Sequence, residues 1–118
     1  MNWNELSSMA TLEEIKSKSF TQPVVIYKHS TRCSISSMAL NRLERSWNAQ
    51  EMEGTTIYFL DLIAHRDISN EIAQLFDVQH ESPQVLLISG GECVYHASHM
   101  GISYRELKGQ LGKDQLAV

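Results

Sequence analysis

Cys33 is the residue in this chain best placed to do chemistry, and its neighbours define the kind. It sits in Lys28-His29-Ser30-Thr31-Arg32-Cys33-Ser34-Ile35-Ser36, after the apolar run Val24-Val25-Ile26-Tyr27 and before an amphipathic helical pattern. A cysteine that ends a strand and opens a helix is a site for thiol chemistry, because the first-turn amides and dipole of a helix favour the thiolate. With Lys28, His29 and Arg32 beside it, Cys33 is expected to titrate below the ordinary thiol value of about 8.5. Ser36 stands where a dithiol motif would carry its second cysteine. Its hydroxyl either donates toward the Cys33 sulfur or belongs to a plain helix-surface serine; it forms no disulfide.

The only other cysteine is Cys93. Two cysteines are too few for a disulfide framework, and together with an N-terminus lacking a signal-peptide pattern they favour a reducing cytoplasm. His29, His80, His96 and His99 invite a metal reading, but their spacings match no zinc signature, so scattered polar histidines are the expectation. A formal charge of -4 argues against general nucleic-acid binding, and no apolar run is long enough to span a membrane. The 118 residues are enough for one domain, taken here as residues 1–118, with one real core.

Periodicity then supplies the elements that must hold Cys33. Thr11-Leu12-Glu13-Glu14 reads as a capping box opening a first helix, with Leu12, Ile15 and Phe20 on its buried side. Trp3 to Leu6 is either a short strand or an irregular lead-in. Val24 to Lys28 is a strand buried on both faces. Ile35, Met38, Ala39, Leu43 and Trp47 fall at helical spacing, and Thr56 to Leu62 is a second strand, so the unit is βαβ with parallel strands. Ile68, Ile72, Leu75 and Phe76 mark a third helix capped by Asp67 or Ser69. Gln84 to Ser89 is a buried strand, Gly90-Gly91 a hairpin turn, and Glu92 to Ser98 an alternating edge strand. Ser103 to Glu106 caps a last helix, with fraying expected after Gly112.

That order, with a cysteine at the first strand-to-helix junction and a proline before the third main strand, resembles the thioredoxin fold: a central four-stranded mixed sheet flanked by helices. Three separated stretches narrow the resemblance. Lys28 to Ser36, then His80-Glu81-Ser82-Pro83-Gln84-Val85-Leu86-Leu87, then His96-Ala97-Ser98-His99 are similar to the YtxJ-type monothiol bacilliredoxin family. The resemblance implies removal of bacillithiol, a low-molecular-weight thiol, from client proteins that carry it as a mixed disulfide. It implies no tightly bound cofactor, bacillithiol as co-substrate, and a flavoprotein disulfide reductase as a further partner. It also implies a cis bond before Pro83, with the Ser82 backbone left free to pair with substrate. Thioredoxins place a buried acid six residues before the reactive cysteine; here that position is Tyr27, so proton handling by such an acid does not carry over.

Topology assigns the second cysteine. An antiparallel third strand starts beside Cys33 and the fourth runs back, so Cys93 begins at the far end of the sheet, well over ~10 Å away, beyond the ~7 Å Cα separation a disulfide needs. The same logic brings Ser98 and His99 to the cysteine's end, facing Ser82-Pro83. Thr31 and Arg32 complete the neighbourhood, and His29, His99, Arg32 and Arg105 are candidate charge partners for the thiolate or for a carboxylate of the small thiol. The expected chemistry is thiol exchange at Cys33 with the second thiol drawn from solution. Two rivals are an iron–sulfur cluster carrier of the monothiol glutaredoxin kind and a thioredoxin-like interaction module with an unreactive Cys33.

Overall fold

The computed structural model describes residues 1–116, with side chains through residue 112. Its elements run β1 (Asn4–Glu5), α1 (Met9–Lys18), β2 (Val24–His29), α2 (Ser34–Ser46), β3 (Thr56–Asp61), α3 (Arg66–Leu75), β4 (Gln84–Ser89), β5 (Glu92–Ser98), a 3₁₀ turn at His99–Gly101, and α4 (Tyr104–Leu116). The five strands form one mixed sheet in the order β1-β3-β2-β4-β5. β3 runs parallel to β2, and β4 runs antiparallel to it. This is the thioredoxin fold with one strand more than the four expected. The extra strand is two exposed polar residues, which carry no alternation to read; it is held by its flanks. Leu6 is buried and donates its N–H to Phe59 O at 2.9 Å, while the Trp3 ring packs on Phe59 and Tyr27.

Strand alternation divides the core in two. Val24, Ile26, Leu86 and Ile88 face Leu12 and Ile15 of α1 and Ile68 and Ile72 of α3. Val25, Tyr27, Val85 and Leu87 face Ala39 and Leu43 of α2 and Leu107 and Leu111 of α4. Central β2 is buried at all six positions, as a strand covered on both faces must be.

Several local expectations need correction. Ser8, not Thr11, caps α1: its hydroxyl accepts the Thr11 N–H at 3.2 Å, so Thr11 lies in the first turn. Ser8 and Thr11 are overlapping serine/threonine cap candidates three residues apart, and the helix takes the earlier. Phe20 is 65% exposed rather than buried; its ring lies over Gly91, where a Cβ would come within 2.6 Å of it. There it closes a joint in which Ser19 accepts the N–H groups of Gly90 (2.8 Å) and Gly91 (2.9 Å). The N-cap of α3 is His65 without a side-chain bond, and the preceding turn is held instead by Asp61, which accepts from Ile63 and Ala64. Asp67 lies in the first turn and Ser69 is buried inside the helix. The helical backbone of α4 continues past Gly112 to Leu116; beyond that, the expected fraying lies outside the described residues.

Gly90 and Gly91 both have positive φ, as a tight hairpin turn requires. β5 alternates exposed and half-buried residues, and Val94 is the extra residue of a bulge, since Cys93 pairs with Ile88 and Tyr95 with Leu87.

Candidate active site

Cys33 occupies the N-cap position of α2, in extended backbone, half-buried, with no side-chain cap bond and no acidic residue in the first helical turn. Its N–H donates to Ser30 O at 3.2 Å, closing a turn whose corners, Thr31 and Arg32, are exposed. The sulfur therefore stands where the helix presents amides without intrahelical partners. No hydrogen bond reaches this sulfur from the described side chains, so its environment is set by the helix terminus and solvent.

Ser36 is neither a sulfur ligand nor a surface residue. It is fully buried, because the inward stripe of α2 runs Ser36, Ala39, Leu43. Its hydroxyl accepts the Ser30 N–H at 3.1 Å and lies 2.7 Å from His29 Nδ1. Burial pushes His29 below the ordinary histidine value against the opposing pull of Asp61 and Glu44. Among the described contacts the buried Ser36 hydroxyl has no other acceptor for its proton, so we assign it as donor to Nδ1. Ser36 thus clasps the turn before Cys33 to the last residue of β2. The same burial, with the Phe59 ring tilted against it at 5.3 Å between centroids, gives His29 a structural post in place of the expected charge-partner role.

Tyr27, at the position of the thioredoxin acid, completes the anchor. Its hydroxyl donates to Ser36 O at 3.1 Å, and burial pushes its pKa up to about 12, so it is a permanent donor at neutral pH. Lys28 points the other way. Alternation along β2 puts it on the α1/α3 face, fully buried, with its ammonium on Ser69 O and His80. The expectation that Lys28 supports the thiolate from alongside is corrected accordingly.

The sheet register delivers the other half of the site. Lys28 pairs with Gln84, and Gln84 with Ser98, so the start of β4 and the end of β5 both lie at Cys33's end of the sheet. The Ser82–Pro83 peptide is cis. Pro83 O accepts the His99 N–H at 3.0 Å, and Ser98 donates its hydroxyl to the Glu81 carboxylate. Ser82 lies just ahead of the β4 ladder, and its buried hydroxyl has no partner. His99 is exposed and left-handed (φ 54°). Arg105 is also exposed, in the first turns of α4. Glu81, which orders the loop through Ser98, escaped the sequence reading; its place two residues before Pro83 was the available signal. Ile35 and Met38, expected to pack inward, are 43% and 60% exposed, because they flank the Ser36–Ala39–Leu43 stripe.

Cys93 pairs with Ile88, which pairs with Val24 at the start of β2. Five strand residues at ~3.3 Å separate that level from the end of β2, or roughly 16 Å. Its thiol donates to Tyr95 O at 3.3 Å, and burial pushes its pKa up. The two cysteines cannot form an internal disulfide without dismantling the sheet. Among the described residues, no cluster of three metal-ligating side chains occurs, and no helix is long and apolar enough to cross a membrane.

The fold and the cysteine at the β2–α2 junction define a thioredoxin-fold protein with a single-cysteine site. Solved structures agree on the fold. A protein described as a candidate oxidoreductase with a thioredoxin fold is 30% identical over 92% of this chain and 91% of its own, with a TM-score of 0.77. At the level of fold alone, thioredoxin from Malassezia sympodialis (15% identity, 95% and 90% covered, TM-score 0.73) and thioredoxin from Fasciola hepatica (19%, 93% and 97%, 0.66) also superpose. The family model described as "Monothiol bacilliredoxin BrxC" matches residues 4–107. The chain belongs to the monothiol bacilliredoxin family, and its class is thiol oxidoreductase.

Proposed function

We propose that the protein removes bacillithiol from client proteins by thiol–disulfide exchange at Cys33. The Cys33 thiolate attacks the bacillithiol sulfur of a protein mixed disulfide, and the client leaves as a thiolate that takes a proton from water. Cys33 then carries bacillithiol as a new mixed disulfide. A second thiol attacks the bacillithiol sulfur and releases Cys33. That thiol comes from solution, and free bacillithiol is the co-substrate of this reading; the product is bacillithiol disulfide, to be reduced by a flavoprotein disulfide reductase. The cycle uses no tightly bound cofactor.

One observation carries the reading: the site offers one accessible sulfur and no internal resolving partner. Ser36 is locked into a buried clasp, and Cys93 lies at the other end of the sheet. Ser82 and Pro83, just before β4, and the exposed Arg32 and His99 are the residues to which this reading assigns an extended client segment and an anionic small thiol. The test compares client release from a bacillithiolated and a glutathionylated form of the same protein. Faster release from the bacillithiolated form, abolished by Cys33→Ala and unchanged by Cys93→Ser, supports the proposal. Equal rates for the two caps contradict the small-thiol specificity.

A further inference from the structure

A polar cluster that this cycle does not use lies on the face of β2 away from α2, where buried Lys28, Ser69 and Gln84 meet the exposed His80 at the edge of the loop. The Lys28 ammonium is fully buried, donates to Ser69 O in α3 at 3.2 Å, and lies 3.3 Å from His80 Nδ1. Ser69 Oγ is 3.2 Å from the same nitrogen. Across the β2–β4 ladder, Gln84 is the direct partner of Lys28 and donates Nε2 to Gln79 O at 3.1 Å, while its buried Oε1 has no partner. Gln79 and His80 begin the short loop that ends in Ser82 and Pro83. Two adjacent buried side chains of the central strands therefore hold the base of the loop that completes the Cys33 site.

The chemistry of the contact fixes its protonation. An ammonium only donates, so His80 Nδ1 must accept and the ring proton must sit on Nε2. Among the described residues no carboxylate lies within ion-pair distance of Lys28. A proton on Nδ1 would remove the acceptor and set two cations 3.3 Å apart. Burial first, then Lys28 and Arg66, hold His80 below the ordinary histidine value, with Glu81 pulling the other way. These four groups are the charged neighbours of the contact: Lys28 on β2, Arg66 on α3, and His80 and Glu81 in the loop.

We propose that Lys28 is a positioning residue for the exchange reaction: through His80 it holds the Gln79–Pro83 loop at the active end of the sheet, and the hold is released when His80 takes up a proton. The proposal rests on the reading of Cys33 as the exchange nucleophile. It assigns Lys28 an effect on encounters that use the loop, and none on the intrinsic access of a small reagent to the sulfur.

The test uses the full chain as wild type, Lys28→Met and His80→Asn. Without substrate, imidazole nitrogen shifts and the amides of residues 79–82 are followed against pH. The proposal expects His80 as the Nε2–H tautomer, with the loop amides moving along its titration. In Lys28→Met the His80 titration rises toward 6.5 and the loop amides lose their wild-type positions at neutral pH. With substrate, Lys28→Met lowers the exchange rate with a protein mixed disulfide about tenfold while iodoacetamide alkylation of Cys33 stays within about twofold. In wild type the ratio of exchange rate to alkylation rate falls as His80 takes up a proton. His80→Asn keeps an acceptor facing Lys28 without a titrating ring, so it retains the neutral-pH exchange rate and loses that fall in the ratio. Unchanged loop amides and exchange rate in Lys28→Met, or an exchange-to-alkylation ratio that still falls on the acid side in His80→Asn, overturn the proposal. A wild type that alkylates but exchanges with no mixed disulfide removes the reading of Cys33, and the positioning role with it.

Discussion

Replacing Ser36 by alanine removes one oxygen and strands two groups. The Ser30 N–H loses its acceptor, and His29 Nδ1 loses its donor at 2.7 Å. His29 is only 7% exposed, so water cannot replace that bond, whereas half-buried Ser30 recovers part of its loss. One full penalty for a buried unsatisfied group plus a fraction of a second comes to about 2 kcal/mol. For a chain of this length that corresponds to a Tm lowered by about 8 °C. Urea denaturation of wild type and Ser36→Ala gives the number directly. A second readout separates the clasp from a generic loss of packing. Neutral His29 is stabilised by the Ser36 hydroxyl, so its titration should move up toward the ordinary value of 6.5 in the variant. A stability within about 0.5 kcal/mol of wild type, the range of an ordinary surface substitution, together with an unmoved His29 titration, would refute the clasp.

Three further outcomes follow from the same geometry. Tyr27→Phe removes the donor to Ser36 O and should cost about 1 kcal/mol in urea unfolding, with the rate of Cys33 alkylation little changed. Lys28 is depressed by burial to about 8 from 10.5, so between those values the unfolded chain binds the proton that the folded chain has shed. Wild type should therefore gain stability relative to Lys28→Met as pH rises from about 8 to 10.5; a difference that stays flat across that window contradicts the buried ammonium. Cys93, with its thiol pushed up by burial and bonded to Tyr95 O, should be the slow thiol in alkylation followed by peptide mapping. Labelling of Cys93 ahead of Cys33 at neutral pH would contradict that placement.

Much of the fold was legible because its central strands are continuous apolar runs. Gln84–Ser89 is bounded as the sequence indicates, with Pro83 before it and Gly90-Gly91 after. The remoteness of Cys93 followed from strand direction alone, without side-chain detail. Asn4–Glu5 was unreadable because two polar edge residues bury nothing; the tertiary contacts of Trp3 and Leu6 make the strand. Lys28 was misplaced because its charge drew attention to the nearby thiol, although a period of two already set it opposite Tyr27 and His29. Ser36 was read by its motif position, while its spacing from Ala39 and Leu43 marked it as inward-facing. The Lys28–His80 and Glu81–Ser98 contacts join residues distant in sequence, and no local pattern announces them.

On the proposed cycle this site holds one working sulfur and takes its second thiol from solution. Intact-mass and peptide analysis of the enzyme, quenched during reaction with a bacillithiolated client, tests it most directly. The expected species is one bacillithiol on Cys33, in wild type and in Cys93→Ser alike, cleared by added free bacillithiol. A Cys33–Cys93 disulfide, or bacillithiol carried on Cys93, would contradict it.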